Sequence, residues 1–159
     1  MADFVFNQSL GVVNGYAKRV AENVQANSAI ILALLSAAGA DATLRDLDTF
    51  AQVIAEASTT ETNATNYARK VLTDTDVTGT TVNDALDEQS TDVADQTWSS
   101  LGNGVNTALS DLLTGFDSDT TGGDDTNIVP ITLHDFVLAS TNSSDVTATI
   151  AGLWTAGQA

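Results

Sequence analysis

A chain of 159 residues is long enough for one domain with a real core and too short for two to be expected. Its apolar fraction of 43% is that of a globular protein, and its formal charge of −16, from 21 acids against 5 bases, disfavours a reader of DNA or RNA. No cysteine is present, which excludes disulfides, thiolate metal sites and a cysteine nucleophile.

The kind of charge is informative too. Aspartate outnumbers glutamate 17 to 4, and the only lysines are Lys18 and Lys70. An Asp-rich, Lys-poor surface suits a protein kept hydrated in high salt, where screening blunts self-repulsion. The start, MADFVFNQSLGVV, lacks a positive cluster ahead of a long apolar core, so no secretory signal is expected. The longest apolar run, Ala29 to Leu35, is far shorter than the roughly 18 residues of a membrane span. A soluble protein with no membrane partner is expected.

In chain order, residues 8–25 read as a helix. Leu10, Val13, Ala17, Val20, Ala21 and Val24 fall on one face, with Ser9 as N-cap. Lys18 and Arg19 make this helix the least negative part of the chain. Residues 29–35 form a continuous apolar run that fits a central strand buried on both faces. Residues 36–42 read as a connection. A short helix is expected over 49–57, capped by Asp48 and burying Phe50, Val53 and Ile54.

Residues 58–66 read as a polar loop and 67–72 as a strand. Residues 73–92, rich in Thr and Asp, read as a long loop or as one or two weak surface strands, a length that often does interface work. Residues 92–98 offer another strand, and 101–104 a turn. Residues 105–116 are in conflict. Val105, Ala108, Leu109, Leu112, Leu113 and Phe116 fit helical spacing, yet the flanking glycines suit a strand equally well. Residues 128–138 alternate as a strand, which Pro130 pushes towards a sheet edge or a bulge. A last strand follows at 146–150, and Trp154 anchors the tail. The sum is an α+β fold. It is mostly an antiparallel β sandwich or barrel-like domain with an N-terminal helix and one short internal helix. A helical segment at 1–26 and a β-rich body at 27–159 form one compact unit.

The acidic loop after Phe116 is the one candidate ion site. Asp117, Asp119, Thr121 and Asp125 match positions 1, 3, 5 and 9 of an EF-hand count, with Gly122 at position 6. Position 12, normally a bidentate Glu, is Ile128. An EF-hand is therefore excluded, and a weakly bound calcium or sodium ion on Asp117, Asp119 and Asp125 is what the loop could still hold. The alternative is a solvated turn. No other cofactor is expected.

His134 and Asp135 invite a dyad, but strand neighbours point to opposite faces. The many Asp pairs lie in polar, Thr-rich surroundings rather than in the apolar pocket that a catalytic acid needs. No phosphate-binding loop and no nucleophile elbow are present. An enzyme is not expected.

Five segments, in order, carry a resemblance. They are MADFVFNQSLGVV, NSAIILALLSAAGADATLRDLDTFAQVIA at 27–55, NYARKVL at 66–72, DQTW at 95–98 and FDSDTTGGDDTNIVPITLHDF at 116–136. Together they resemble a family of small structural proteins of tailed bacteriophages, over most of the chain. The resemblance implies a virion component and no catalytic residue. It also implies a β-rich body in which 105–116 runs partly as a strand into the acidic loop. The chain departs from the family in its weakly alternating 73–92 and its heavier acidic load, which would suit a halophilic or marine host.

The expected role is a capsid decoration, spike or turret protein. It would assemble as a homo-oligomer on other virion proteins such as the major capsid protein. A tail or head–tail connector protein, or a cation-dependent host-surface binding module, are the alternatives.

Overall fold

The computed structural model describes residues 3–150 and 154–157. The elements run β1 (Phe4–Val5), α1 (Val13–Ala21), β2 (Ala29–Ala37), α2 (Asp41–Leu44), α3 (Phe50–Ala55), β3 (Thr60–Glu61) and β4 (Lys70–Leu72). They continue with β5 (Val77–Asn83), β6 (Glu88–Val93), β7 (Gln96–Trp98), β8 (Leu109–Asp117), β9 (Val129–Leu138), β10 (Val146–Ala148) and β11 (Trp154–Gly157). Every strand pairing is antiparallel, and the fold is α+β.

The apolar run at 29–35 becomes the middle of the largest sheet, ordered β1-β9-β8-β2-β3, with β4 sharing the β3 side of β2. Alternate side chains of β2 feed two cores. Ile30, Leu32 and Leu34 meet Val13, Ala17 and Val20 of α1 on one face. Ile31, Ala33 and Leu35 meet Phe4, Phe6, Leu44, Phe50 and Val53 on the other. Each fully buried Leu, Ile or Phe contributes on the order of 1.5–3 kcal/mol, so this one strand anchors both layers. A second sheet, β11-β6-β5, lies beyond α1 and adds Val77 and Val93 to the first core. A ribbon of β7 and β10 adds Trp98 and Ala148.

Several expectations need correction. The helix read at 8–25 is shorter. A 3-10 turn covers Asn7–Ser9, Gly11 takes φ +79°, and α1 begins only at Val13. The far end stops before Asn23, at φ +49°. Ser9 is not a cap; it is buried and donates to the Pro130 carbonyl at 2.6 Å. Leu10 and Val24, on the expected buried face, are exposed. The internal helix is capped by Thr49 rather than Asp48. The Thr49 hydroxyl accepts from the Gln52 N–H, and the Gln52 side chain reaches back to the Thr49 N–H, a capping box. A single helical turn, α2, falls at the end of the segment read as connection.

Residues 105–116 resolve as strand over 109–117. Leu109, Leu112 and Phe116 enter one core and Leu113 the other. A strand buried on both faces is apolar at nearly every position, which imitates helical spacing. Gly115 is required there. A Cβ at this position would lie 2.7 Å from both Ile128 Cγ2 and the Phe50 ring. Pro130 sits at a register shift between β8 and β9, so it occupies a bulge. Residues 73–92 contain the β5–β6 hairpin. The strand read at 92–98 is divided between the end of β6 and β7, and that at 67–72 is strand only from Lys70. The main chain of Trp154 lies in β11, and its side chain lies outside the described part of the structure.

Candidate functional site

The loop joining β8 to β9 is built by its own acids. Asp117, buried at the end of β8, accepts from the Asp119 N–H at 2.9 Å. Asp119 accepts from both the N–H and the hydroxyl of Thr121, at 3.1 and 2.6 Å. Asp124 accepts from the Thr126 N–H at 2.9 Å and so caps the 3-10 turn Asp125–Asn127. These bonds favour the ionised carboxylates and hold Asp119 and Asp124 below the usual carboxylate range. The Asp and Thr residues here supply turn geometry.

Of the three acids expected to hold an ion, Asp125 is the one with a cationic partner among the described residues. Arg69 reaches it from β4's approach, with Nη1 to Oδ1 at 2.6 Å and Nη2 to Oδ2 at 2.9 Å. The other side of the same guanidinium holds Glu61 of β3, with Nε to Oε1 at 2.8 Å and Nη2 to Oε2 at 2.7 Å. Planar fork geometry makes Arg the residue for two such carboxylates at once. The guanidinium lies 5.0 Å from the centroid of the Phe50 ring. Tyr67 completes the group. Its hydroxyl donates to Glu61 at 2.6 Å and accepts from the Leu34 N–H at 3.2 Å. Burial, reinforced by the Glu61 carboxylate, raises Tyr67 well above the ordinary phenol range.

This clasp ties the edge of β2, the start of α3 and the acidic loop together. Two of the segments that carry the resemblance, NYARKVL and the run from Phe116, meet at the Arg69–Asp125 pair. The sequence reading missed the clasp. The alternation of Tyr67, Arg69 and Val71 marked the side of the chain that Arg69 would take, but nothing local named its partners.

His134 bonds elsewhere than to Asp135. Its Nε2 lies 2.8 Å from Thr132 Oγ1 and its Nδ1 3.4 Å from Asp3 Oδ2. Asp3 also accepts from the Asp135 main-chain N–H at 2.8 Å. Among the described residues, no group of three or more His, Asp or Glu is placed to hold a metal ion. Among them too, no helix is long and apolar enough to cross a membrane.

The bases divide into two sets. Arg69 is locked in the clasp, and Lys70 donates to the Thr97 carbonyl at 2.7 Å beside the Trp98 ring. Lys18, Arg19 and Arg45 are exposed. Lys18 and Arg19 share α1, close in sequence to exposed Leu10 and Val12. Comparisons with known protein families, with curated proteins and with solved structures found no match.

Proposed function

We propose that this chain is a structural component of a tailed-virus particle: a capsid decoration protein that assembles as a homo-oligomer on the major capsid protein. The observation that carries the reading is the ordered resemblance of five segments to small phage structural proteins, spanning most of the chain. The clasp supports it, because two of those segments are held together there by a partly buried double ion pair. The surface supports it in a second way. An acidic exterior remains hydrated, while the exposed Lys18 and Arg19 of α1, with exposed Leu10 and Val12 in the segment that leads into it, offer a less charged face to a shell. Symmetric particles present such sites in many equivalent copies, which favours cyclic homo-oligomers.

The test is mass spectrometry of purified particles, followed by a cryo-EM map. The chain is expected in the particle, with its density on the outer face of the capsid and α1 turned to the shell. Density in the tail or at the head–tail junction would move the protein to a connector role. Absence of the chain from purified particles would end the virion reading.

A further inference from the structure

Asparagine followed by glycine occurs twice, at Asn14-Gly15 and at Asn103-Gly104. The pairing carries its own chemistry. The backbone nitrogen of the second residue can attack the asparagine Cγ, and glycine, with no side chain, leaves that approach open. The fold gives the two copies opposite surroundings.

Asn14 lies in the first turn of α1, and β6 holds its amide at both atoms. Nδ2 donates to the Gln89 carbonyl at 3.1 Å, and Oδ1 accepts from the Thr91 hydroxyl at 2.9 Å. Thr91 is fully buried. Asn103, by contrast, is exposed in the connection between β7 and β8. The Gly104 N–H closes a three-residue turn around it, onto the Gly102 carbonyl at 2.8 Å. Exposed turns open at little free-energy cost, whereas a packed helix does not. The glycine itself is required. Gly104 takes φ +129°, and a Cβ there would lie 3.0 Å from Thr65 Oγ1.

The main chain is anchored on both sides of Asn103. The Gly102 N–H donates to the Thr65 carbonyl at 2.8 Å, and the Leu101 N–H to the Ser144 carbonyl at 3.1 Å. The Ser143 N–H returns to the Leu101 carbonyl at 2.9 Å. Beyond Asn103, the Val105 N–H donates to Thr65 Oγ1 at 2.9 Å. Leu101 is fully buried. This turn therefore ties the segment around Thr65 to the segment around Ser144, and its length matters.

We propose that Asn103 is a site of spontaneous deamidation that loosens this turn, while the fold protects Asn14. The Gly104 nitrogen bonds to Asn103 Cγ, and the Cγ–Nδ2 bond breaks. The proton of the attacking nitrogen leaves with the amide group as ammonia. The succinimide then takes up one water at either carbonyl and opens to aspartate or to isoaspartate. Water is the only co-reactant. Both products add a negative charge. The isoaspartyl product also inserts a methylene into the main chain between the anchors at Gly102 and Val105. The proposal does not rest on the virion reading.

The experiment is incubation of the full chain at mildly alkaline pH, followed by peptide mapping with mass spectrometry and chromatographic separation of aspartyl from isoaspartyl peptides. Asn103 is expected to convert to both products, about tenfold faster per pH unit, because the nitrogen attacks in its deprotonated form. Asn14 converts at least about tenfold more slowly, since α1 must open first. In guanidinium the two sites convert at comparable rates. Asn103→Gln, at an exposed position and so safe for folding, removes the conversion. The isoaspartyl form melts below Asn103→Asp, which carries the new charge without the added methylene. The proposal is overturned if Asn103 stays intact in the folded chain while it converts in guanidinium. Equal rates at Asn14 and Asn103 in the folded chain, or an isoaspartyl form that melts with Asn103→Asp, overturn it as well.

Discussion

Replacing Arg69 with methionine keeps an unbranched apolar stem beside Phe50 but removes four charge-assisted hydrogen bonds at once. Glu61 and Asp125 are then left facing each other across an empty place. Side-chain exposures of 26% for Arg69, 19% for Glu61 and 33% for Asp125 set the group between surface and core. Fully exposed pairs contribute about 0–1 kcal/mol, and breaking a buried one costs about 3–5 kcal/mol. Partial screening brings the expected loss to about 3 kcal/mol. For a chain of this size that is a fall in melting temperature of roughly 6–12 °C. Arg69→Lys should recover only part of it, because an ammonium cannot serve two carboxylates as a fork. The assay is urea unfolding followed by circular dichroism, closed into a double-mutant cycle with Asp125→Asn. The coupling should survive 1 M salt, since partly buried pairs are screened little. A loss below about 1 kcal/mol, or a coupling that vanishes in salt, would refute the reasoning and return the clasp to an ordinary surface pair.

Gly115→Ala forces a methyl against Ile128 and the Phe50 ring and should cost about 1–3 kcal/mol, read as a lower urea midpoint. Gly15→Ala is the opposite case: it lies within α1 with nothing within 4 Å of the added Cβ, so it should stabilise by roughly 0.5–1 kcal/mol in the same assay. Asp111 gives the pH prediction. Burial, with Asp135 and then Asp41 adding to it and with Ser110 and the N-terminal ammonium opposing, raises its carboxyl above the ordinary range. The folded state therefore holds this proton more tightly than the unfolded chain. The stabilising contribution is full below the unfolded value of about 3.9 and is lost as pH rises through the folded one. Asp111 is 1% exposed and its Oδ1 has no hydrogen-bond partner among the described residues, so Asp111→Asn should be more stable than the parent at pH 7, by roughly 1 kcal/mol, with the gap closing towards pH 3. Thermal melts across that range decide it, and a variant less stable at every pH would count against the orphaned carboxylate.

How far the structure was readable beforehand depended on how local each signal was. β2 was plain because Ala29 to Leu35 is apolar at every position. The short helix was plain as well, but its cap moved by one residue, because only Thr49 places a Gln at the third helical position. α1 was over-extended for a specific reason. Leu10 and Val24 keep the apolar period, while Gly11 and Asn23 take left-handed conformations that end the helix on either side. The β5–β6 hairpin was faint because Val77 and Val93 bury while Val82 is exposed, so its Thr-rich strands show no clear alternation. The clasp was illegible in principle from short-range pattern. Arg69 finds one partner 8 residues away and the other 56 residues away. The setting of Asp111 was hidden likewise, since it is defined by Leu35 and Asp135 on the two neighbouring strands.

The strand lengths around the central sheet have a consequence for solubility. One border is β1, of two residues, and the other is shared by β3 and β4, of two and three. A border that short exposes few unpaired N–H and C=O groups in a row, so it gives a neighbouring chain little to zip onto. The β3–β4 border of the sheet that carries both cores is thus guarded against strand addition, while on the other border β9 runs on to Leu138 past its pairing with β1 at Thr132 and Leu133. The longer border belongs to β5, seven residues on the outer side of the second sheet. Backbone-mediated association between copies, and fibril growth under stress, would begin at β5 and leave the two-faced core strand β2 untouched.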